Sequence, residues 1–144
     1  MLIGEYIHTL DEKKRVSLPV KFRKEMGKKI IVTAGLDKCL WVFTLAQWNK
    51  ISERLSDFSM LQADNRSFNR YMFGSATEVE VDAIGRILLP DFLIERSDLK
   101  SRVAVVGVQD RVEIWNEGAW KEYKCVVEKR ADQLAEKLGQ AGAI

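Results

Sequence analysis

DEKKRVSLP occupies Asp11–Pro19, and DAIGRILLP occupies Asp82–Pro90. Aligned, both read Asp-x-x-x-Arg-hydrophobic-x-Leu-Pro, and the only two prolines of the chain close the phrase. Asp11, Arg15, Val16, Leu18 and Pro19 recur 71 residues later as Asp82, Arg86, Ile87, Leu89 and Pro90. With one inserted residue the correspondence continues at 72, matching Gly35 with Gly107, Val42 with Ile114 and Trp48 with Trp120. One four-letter match could be chance, but the continued order of turn, glycine and tryptophan reads as two structural copies.

Each copy carries the same local signals. EYIHTL and RVSL are strand-like runs around the polar turn DEKK, and TEVEV and RILL flank DAIG in the same way. An aspartate opening such a turn accepts hydrogen bonds from amides ahead of it. Gly85 supplies a residue tolerant of positive φ just before Arg86, and Lys14 takes that place in the first copy at some conformational cost. Proline then suits the first turn of a helix, which predicts short helices in VKFRKEMG, stopped by Gly27, and in DFLIERSDL. A hairpin should follow in each half: IIVTA and LWVF around GLDKC, then VAVVGV and RVEIW around Gln109-Asp110. Thr44 and Gln47 form a capping-box pattern ahead of Trp48, Ile51, Leu55 and Phe58, which share one helical face. A middle helix is expected over Asn65 to Phe73. A last helix should start near Asn116, with Trp120, Tyr123, Val127, Leu134 and Leu138 on one stripe. Units of about seventy residues are small for independent cores. Fusion lets each bury its strands against the other, which predicts a mostly β, barrel-like body with helices outside.

At 144 residues, 47% of them hydrophobic and 31% charged, the composition is that of a soluble globular domain. No run approaches eighteen apolar residues, and the charges of MLIGEYIHTLDEKKR follow a mixed stretch, which is not signal-peptide order. Cys39 and Cys125 lie far apart without ligand spacing, and reduced thiols in a cytoplasmic protein are the simplest reading. The net charge is only +2, but Asp11 to Ile30 holds eight Lys or Arg against three acids. Such a patch can steer a polyanion, although most charge runs are simply solvated faces.

Catalysis has little to work with. His8 is the only histidine and sits in a strand-like run; no zinc spacing and no phosphate-cradling glycine loop occurs. No metal or cofactor is expected, and an enzyme finds no support in these residues. The arginines are the sharper lead. An arginine held at a turn can donate to phosphate, or donate two bonds to guanine O6 and N7. The bland alternative is an Asp–Arg pair that only braces the turn. Lys13 and Lys14 favour a phosphate contact at the first tip, whereas Ala83 and Ile84 replace those charges at the second. Trp48 and Trp120 read as core packing, and Arg66 and Arg70 as a solvated or acid-paired face.

Taken together, GEYIHTLDEKKRVSLP, FNRYMFGSATEVEVDAIGRILLP and AVVGVQDRVEIW make the whole chain resemble the MraZ family of bacterial transcriptional regulators. The resemblance implies an α+β, predominantly β fold. Two AbrB-like, swapped-hairpin halves would form a double-split β-barrel-like body with peripheral helices. Residues 1–60 would be the first repeat with its following helix, 61–75 a connecting helix, and 76–144 the second repeat with the C-terminal helix, fused as one globular unit. It also implies a ring-shaped homo-oligomer such as an octamer, nucleoid-associated in the cytoplasm and making no membrane contact. That ring would bind short direct repeats in double-stranded promoter DNA upstream of the division and cell wall gene cluster, generally as a repressor.

The motif positions carried over are Asp11 with Arg15 and Asp82 with Arg86. On the residues themselves Arg15 is the principal DNA contact and Arg86 the second, Lys13 and Lys14 are phosphate clamps, and Asp11, Asp82 and Gly85 shape the turns. The family pattern commonly has glycine where Lys14 stands. Two other readings compete: an oligomeric scaffold whose arginines join subunits, and an enzyme, which would need a pocket of convergent polar groups.

Overall fold

A computed structural model describes residues 1–144. The first half runs β1 (Leu2–Thr9), β2 (Arg15–Ser17), α1 (Val20–Met26), β3 (Lys29–Ala34), β4 (Leu40–Thr44) and α2 (Leu45–Ser56). After α3 (Ala63–Gly74) the second repeats the order with β5 (Thr77–Glu80), β6 (Arg86–Leu88), α4 (Asp91–Arg96), β7 (Arg102–Gln109), β8 (Val112–Asn116) and α5 (Glu117–Lys129). A final helix, α6 (Ala131–Gln140), ends the chain.

Six strands form one antiparallel sheet in the order β1-β7-β8-β4-β3-β5, and β2 pairs with β6 in a separate ribbon. Replacing each strand by its counterpart in the other half reverses the sheet order onto itself, so the fold has an internal pseudo-dyad. At the sheet centre Trp41 faces Glu113, its own counterpart 72 residues on, and in the ribbon Val16 faces Ile87, its counterpart at 71.

The ladders correct one expectation drawn from the residues alone. The runs flanking DEKK do not form a simple hairpin, since beyond a single Leu10–Val16 bridge β1 pairs over its whole length with β7 of the other half. Likewise β5 pairs with β3, and β2 with β6. Each half thus lends its first two strands to the other, which is the exchange that the family resemblance implies. Close backbone approach makes the β1–β7 ladder possible: a Cβ on Gly107 would lie 2.6 Å from the Leu2 carbonyl carbon.

The repeated phrase also builds the core. Val16, Leu18 and Phe22 meet their counterparts Ile87, Leu89 and Leu93 in one buried cluster, each no more than 2% exposed. At roughly 1.5–3 kcal/mol per buried side chain, these three equivalent pairs tie the halves together. Their arrangement follows from local chemistry. The proline fixes an extended residue ahead of each short helix, with φ of −51° at Pro19 and −62° at Pro90. Gly27 then ends α1 at a φ of 77°.

The two expected hairpins, β3–β4 and β7–β8, form, and Thr44 caps α2 by accepting from the Gln47 amide at 3.1 Å. The buried core is drawn mainly from strands and the two short helices, while α2, α5 and α6 contain no fully buried residue and lie at the periphery. The single C-terminal helix expected from the stripe is instead two. Arg130 leaves helical geometry at φ −109°, ψ 5°, and α6 turns away with Leu134 half-buried and Leu138 exposed. No helix is long and apolar enough to cross a membrane.

Candidate nucleic-acid interface

The β2–β6 ribbon decides what the two arginines can do. Strand side chains alternate, and Val16 and Ile87 point inward with no exposure at all. Arg15, Ser17, Arg86 and Leu88 therefore occupy the opposite, outer face. Arg15 lies across from Leu88 and Arg86 across from Ser17, which makes the arginines diagonal neighbours on one face. Diagonal neighbours stand about 7–8 Å apart, near two base-pair steps of about 3.4 Å.

Each arginine is braced by its own aspartate. Asp11 accepts the Arg15 amide at Oδ1 and Arg15 Nε at Oδ2, both at 2.9 Å. Asp82 accepts the Arg86 amide at 2.8 Å, Arg86 Nε at 2.7 Å and the Ile84 amide at 3.1 Å. Only Nε is spent in either brace, and both side chains remain about 30% exposed. The paired terminal nitrogens of each guanidinium, which are the fork that grips phosphate or guanine, have no protein partner. The geometry thus joins two readings that the sequence left as alternatives: the aspartate braces, and the arginine still presents its fork. The same bonds act on the carboxyls. The Arg15 amide foremost holds Asp11 below its ordinary 3.8, and the Arg86 amide does the same for Asp82.

The turns themselves are left-handed where expected. Gly85 has φ 85° and Lys14 φ 64°, so the lysine adopts a conformation that glycine takes freely. Each turn is locked by the other half: Leu18 donates its amide to the Gly85 carbonyl at 2.8 Å, and Leu89 donates to Lys14 at 2.9 Å.

Of the two candidate clamps, Lys13 is exposed and makes no ion pair, whereas the Lys14 ammonium pairs with Asp91 at the start of α4. Three participants escaped the sequence reading. Ser17 and Leu88 share the arginine face, and Arg23 packs so tightly over the second turn that a Cβ on Gly85 would lie 2.1 Å from its Nε. Their signal was present in part: Ser17 and Leu88 stand inside the repeated phrase, and Arg23 inside the basic run.

Other candidates resolve into structure. His8 is half-buried in β1, and its pKa is lowered by burial and then by the nearby Arg23 charge. Trp48 packs against Phe43 and Phe73, and Trp120 packs at a tilt against Trp115 while donating to Glu5 at 3.0 Å. Arg66 donates to the carbonyls of Met60 and Leu61 and ties down the α2–α3 connection. Cys39 is buried and Cys125 exposed, and both are free thiols. No three His, Cys, Asp or Glu side chains gather as a metal site. An apolar groove beside α2 and α3 is lined by Trp41, Phe43, Ile51, Leu55, Phe68 and Met72. At its rim Asp110 and Arg111 are already paired with each other, at 2.9 Å.

Exchanged strands about an internal dyad, with one braced Asp-x-x-x-Arg turn from each half, define a double swapped-hairpin protein of the AbrB-like type. The family model described as "MraZ protein, putative antitoxin-like" matches the chain twice, over residues 1–71 and 72–138. Over 138 residues, 96% of each chain, the sequence is 43% identical to a protein of Caldanaerobacter subterraneus named Transcriptional regulator MraZ. Proteins of Moorella thermoacetica and Carboxydothermus hydrogenoformans with the same name are each 44% identical, again over 96% of both chains. The chain belongs to the MraZ family.

Proposed function

We propose that the protein is a sequence-specific DNA-binding regulator of transcription, a repressor of the division and cell wall gene cluster that includes its own gene. The observation that carries this reading is the outer face of the β2–β6 ribbon, where two braced arginines present unpaired forks side by side. A two-stranded ribbon fits a major groove roughly 12 Å wide, and an arginine fork matches guanine O6 and N7. The basic run from Lys13 to Lys29 supplies the sequence-independent attraction to phosphate. The names of the relatives, all transcriptional regulators, support the same reading.

Within it Arg15 is the principal base contact, Arg86 the second, and Lys13 the freer phosphate clamp. Lys14 must exchange Asp91 for phosphate to join it. The protein works in the cytoplasm at the nucleoid, as a ring of identical subunits on short direct repeats. Related surfaces at opposite ends of two fused halves let head-to-tail contacts propagate until they close.

The test is Arg15→Ala on the intact protein, with binding to its own promoter DNA measured by fluorescence anisotropy over a salt series. Loss of one bidentate contact should cost about 1–3 kcal/mol per bound subunit, with circular dichroism and oligomer size unchanged. If the substitution instead dissociates the oligomer and leaves the affinity of the remaining subunits intact, the arginines are interface residues and the protein is a scaffold.

A further inference from the structure

The dyad places two strips of side chains equivalently, yet their chemistry differs. In the first, Arg15 is flanked by Lys13 and Ser17; in the second, the counterparts flanking Arg86 are Ile84 and Leu88. Ile84 is 60% exposed and Leu88 57%, and neither belongs to a core cluster. Asp91 pairs with Lys14 of the first turn, whereas its counterpart in the repeat, Val20, is apolar and 74% exposed. The strip of the first half is therefore cationic and polar, and that of the second apolar. Because the strands are antiparallel, Leu88 lies beside Arg15 and the basic first turn, and Ile84 lies in the second turn beyond Arg86.

These apolar side chains are displayed on rigid backbone. The Ile84 amide is held by Asp82 at 3.1 Å, Arg23 packs behind Gly85, and Leu88 is the last residue of the paired strand β6. The partner of such a strip must offer apolar groups at the same depth as the acceptors that Arg86 reaches. In a major groove the only apolar group on the bases is the thymine 5-methyl. Leu88 stands about 7 Å from Arg86 along the strand, or two base-pair steps of about 3.4 Å, and directly opposite Arg15.

We propose that Ile84 and Leu88 read thymine 5-methyl groups flanking the base pairs contacted by the two arginines, so that the second half sets specificity where the first mainly anchors. This rests on the DNA-binding reading above. The two turns then have separate duties: Lys13 contributes to affinity for any sequence, and the apolar pair distinguishes thymine from cytosine.

The experiment compares two duplexes of the sequence that the protein protects upstream of its own gene, one containing thymidine and one containing deoxyuridine throughout. Deoxyuridine keeps the pairing and removes only the methyl. The wild-type protein should prefer the thymidine duplex by about fourfold for each methyl contacted, the equivalent of one buried methyl group. The doubly substituted Ile84→Ala, Leu88→Ala protein should bind the thymidine duplex more weakly and show a thymidine-to-deoxyuridine ratio near one. Because the ratio is compared between proteins, intrinsic differences between the duplexes cancel. Equal wild-type binding to both duplexes, or an unchanged ratio in the double variant, overturns the inference. An unchanged ratio together with loss of the oligomer would assign the strip to contact between copies. Absence of wild-type binding to any duplex DNA would instead remove the regulator reading itself, and this inference with it.

Discussion

Val16 pairs across the β2–β6 ribbon with Ile87, the residue that occupies its own place in the second half. This pair lies on the internal dyad, fully buried, and turns both flanking arginines outward to the same side. A core contact thereby sets the geometry of a surface. Any substitution that shifts this pair changes the spacing of Arg15 and Arg86 before it changes either arginine.

Lys14 is the strained member of the two turns. A non-glycine residue in left-handed geometry costs roughly 1–2 kcal/mol, whereas its exposed ion pair with Asp91 is worth about 0–1 kcal/mol. Lys14→Gly should therefore raise stability slightly, by a few tenths of a kcal/mol and at most about 1, after allowing for the greater entropy of glycine in the unfolded chain. It should also flatten the salt dependence of DNA binding by close to one phosphate contact per bound subunit. Thermal melting and a salt titration check both; a lower melting temperature would show that the ion pair outweighs the strain.

Gly107 tests the strand exchange. Its missing Cβ would stand 2.6 Å from the Leu2 carbonyl carbon and 2.7 Å from the Ile3 nitrogen, backbone atoms that no rotamer change can move. Gly107→Ala should cost about 1–3 kcal/mol in urea denaturation and loosen β1 selectively. Amide exchange across Leu2–Thr9 should rise with it. Unchanged protection there would mean that β1 is not held by β7.

Asp11 and Asp82 impose a pH dependence with a definite sign. Folding lowers both carboxyl pKa values, so their contribution is complete above the ordinary 3.8 and is lost as pH falls through the depressed folded values. Stability attributable to the two turns should be flat near neutral pH and fall only below about pH 4, close to where free aspartate begins to protonate. The difference in urea midpoint between wild type and Asp82→Asn should shrink over that acid range. A difference that vanishes near pH 6 would contradict the bracing geometry.

The proposed assembly into a ring makes a prediction about the operator. A single ribbon reads few bases, but once one subunit binds, a neighbour binds intramolecularly. Recognition units on one DNA face must then recur about every 10 base pairs, one helical turn. Inserting five base pairs between repeats should cost most of the affinity, and inserting ten far less. Equal binding to both spacings, or full affinity for one isolated repeat, would sink the ring-avidity mechanism.

Much of this was legible in residues. The doubled phrase located both turns, the positive φ before each arginine and the short helices after each proline, and the Thr44–Gln47 pattern located the cap of α2, because all are local. The pairing of β1 with β7 instead of β2 was not legible from the pattern. Both halves offer apolar strands of one type, and the choice between them depends on contacts a hundred residues apart. The break at Arg130 carried no proline or glycine to announce it. The outer face of the ribbon was readable in the first half, where Val16 is the one apolar residue between Arg15 and Ser17. What hid Leu88 was its apolar character, which reads as core until the structure shows it exposed. Lys14 and Asp91 are 77 residues apart, and only the exchange of strands brings them together.

The central claim is that Arg15 reads guanine from the major groove through a fork left free by its aspartate brace. Substituting 7-deazaguanine for single guanines across the protected promoter sequence removes the N7 acceptor without altering pairing. The account predicts a few guanines, repeating with the operator, at which wild-type binding falls, while Arg15→Ala binds weakly and no longer distinguishes guanine from 7-deazaguanine there. Wild-type binding that is indifferent to N7 at every guanine, or the same sensitive guanines retained in Arg15→Ala, would contradict it.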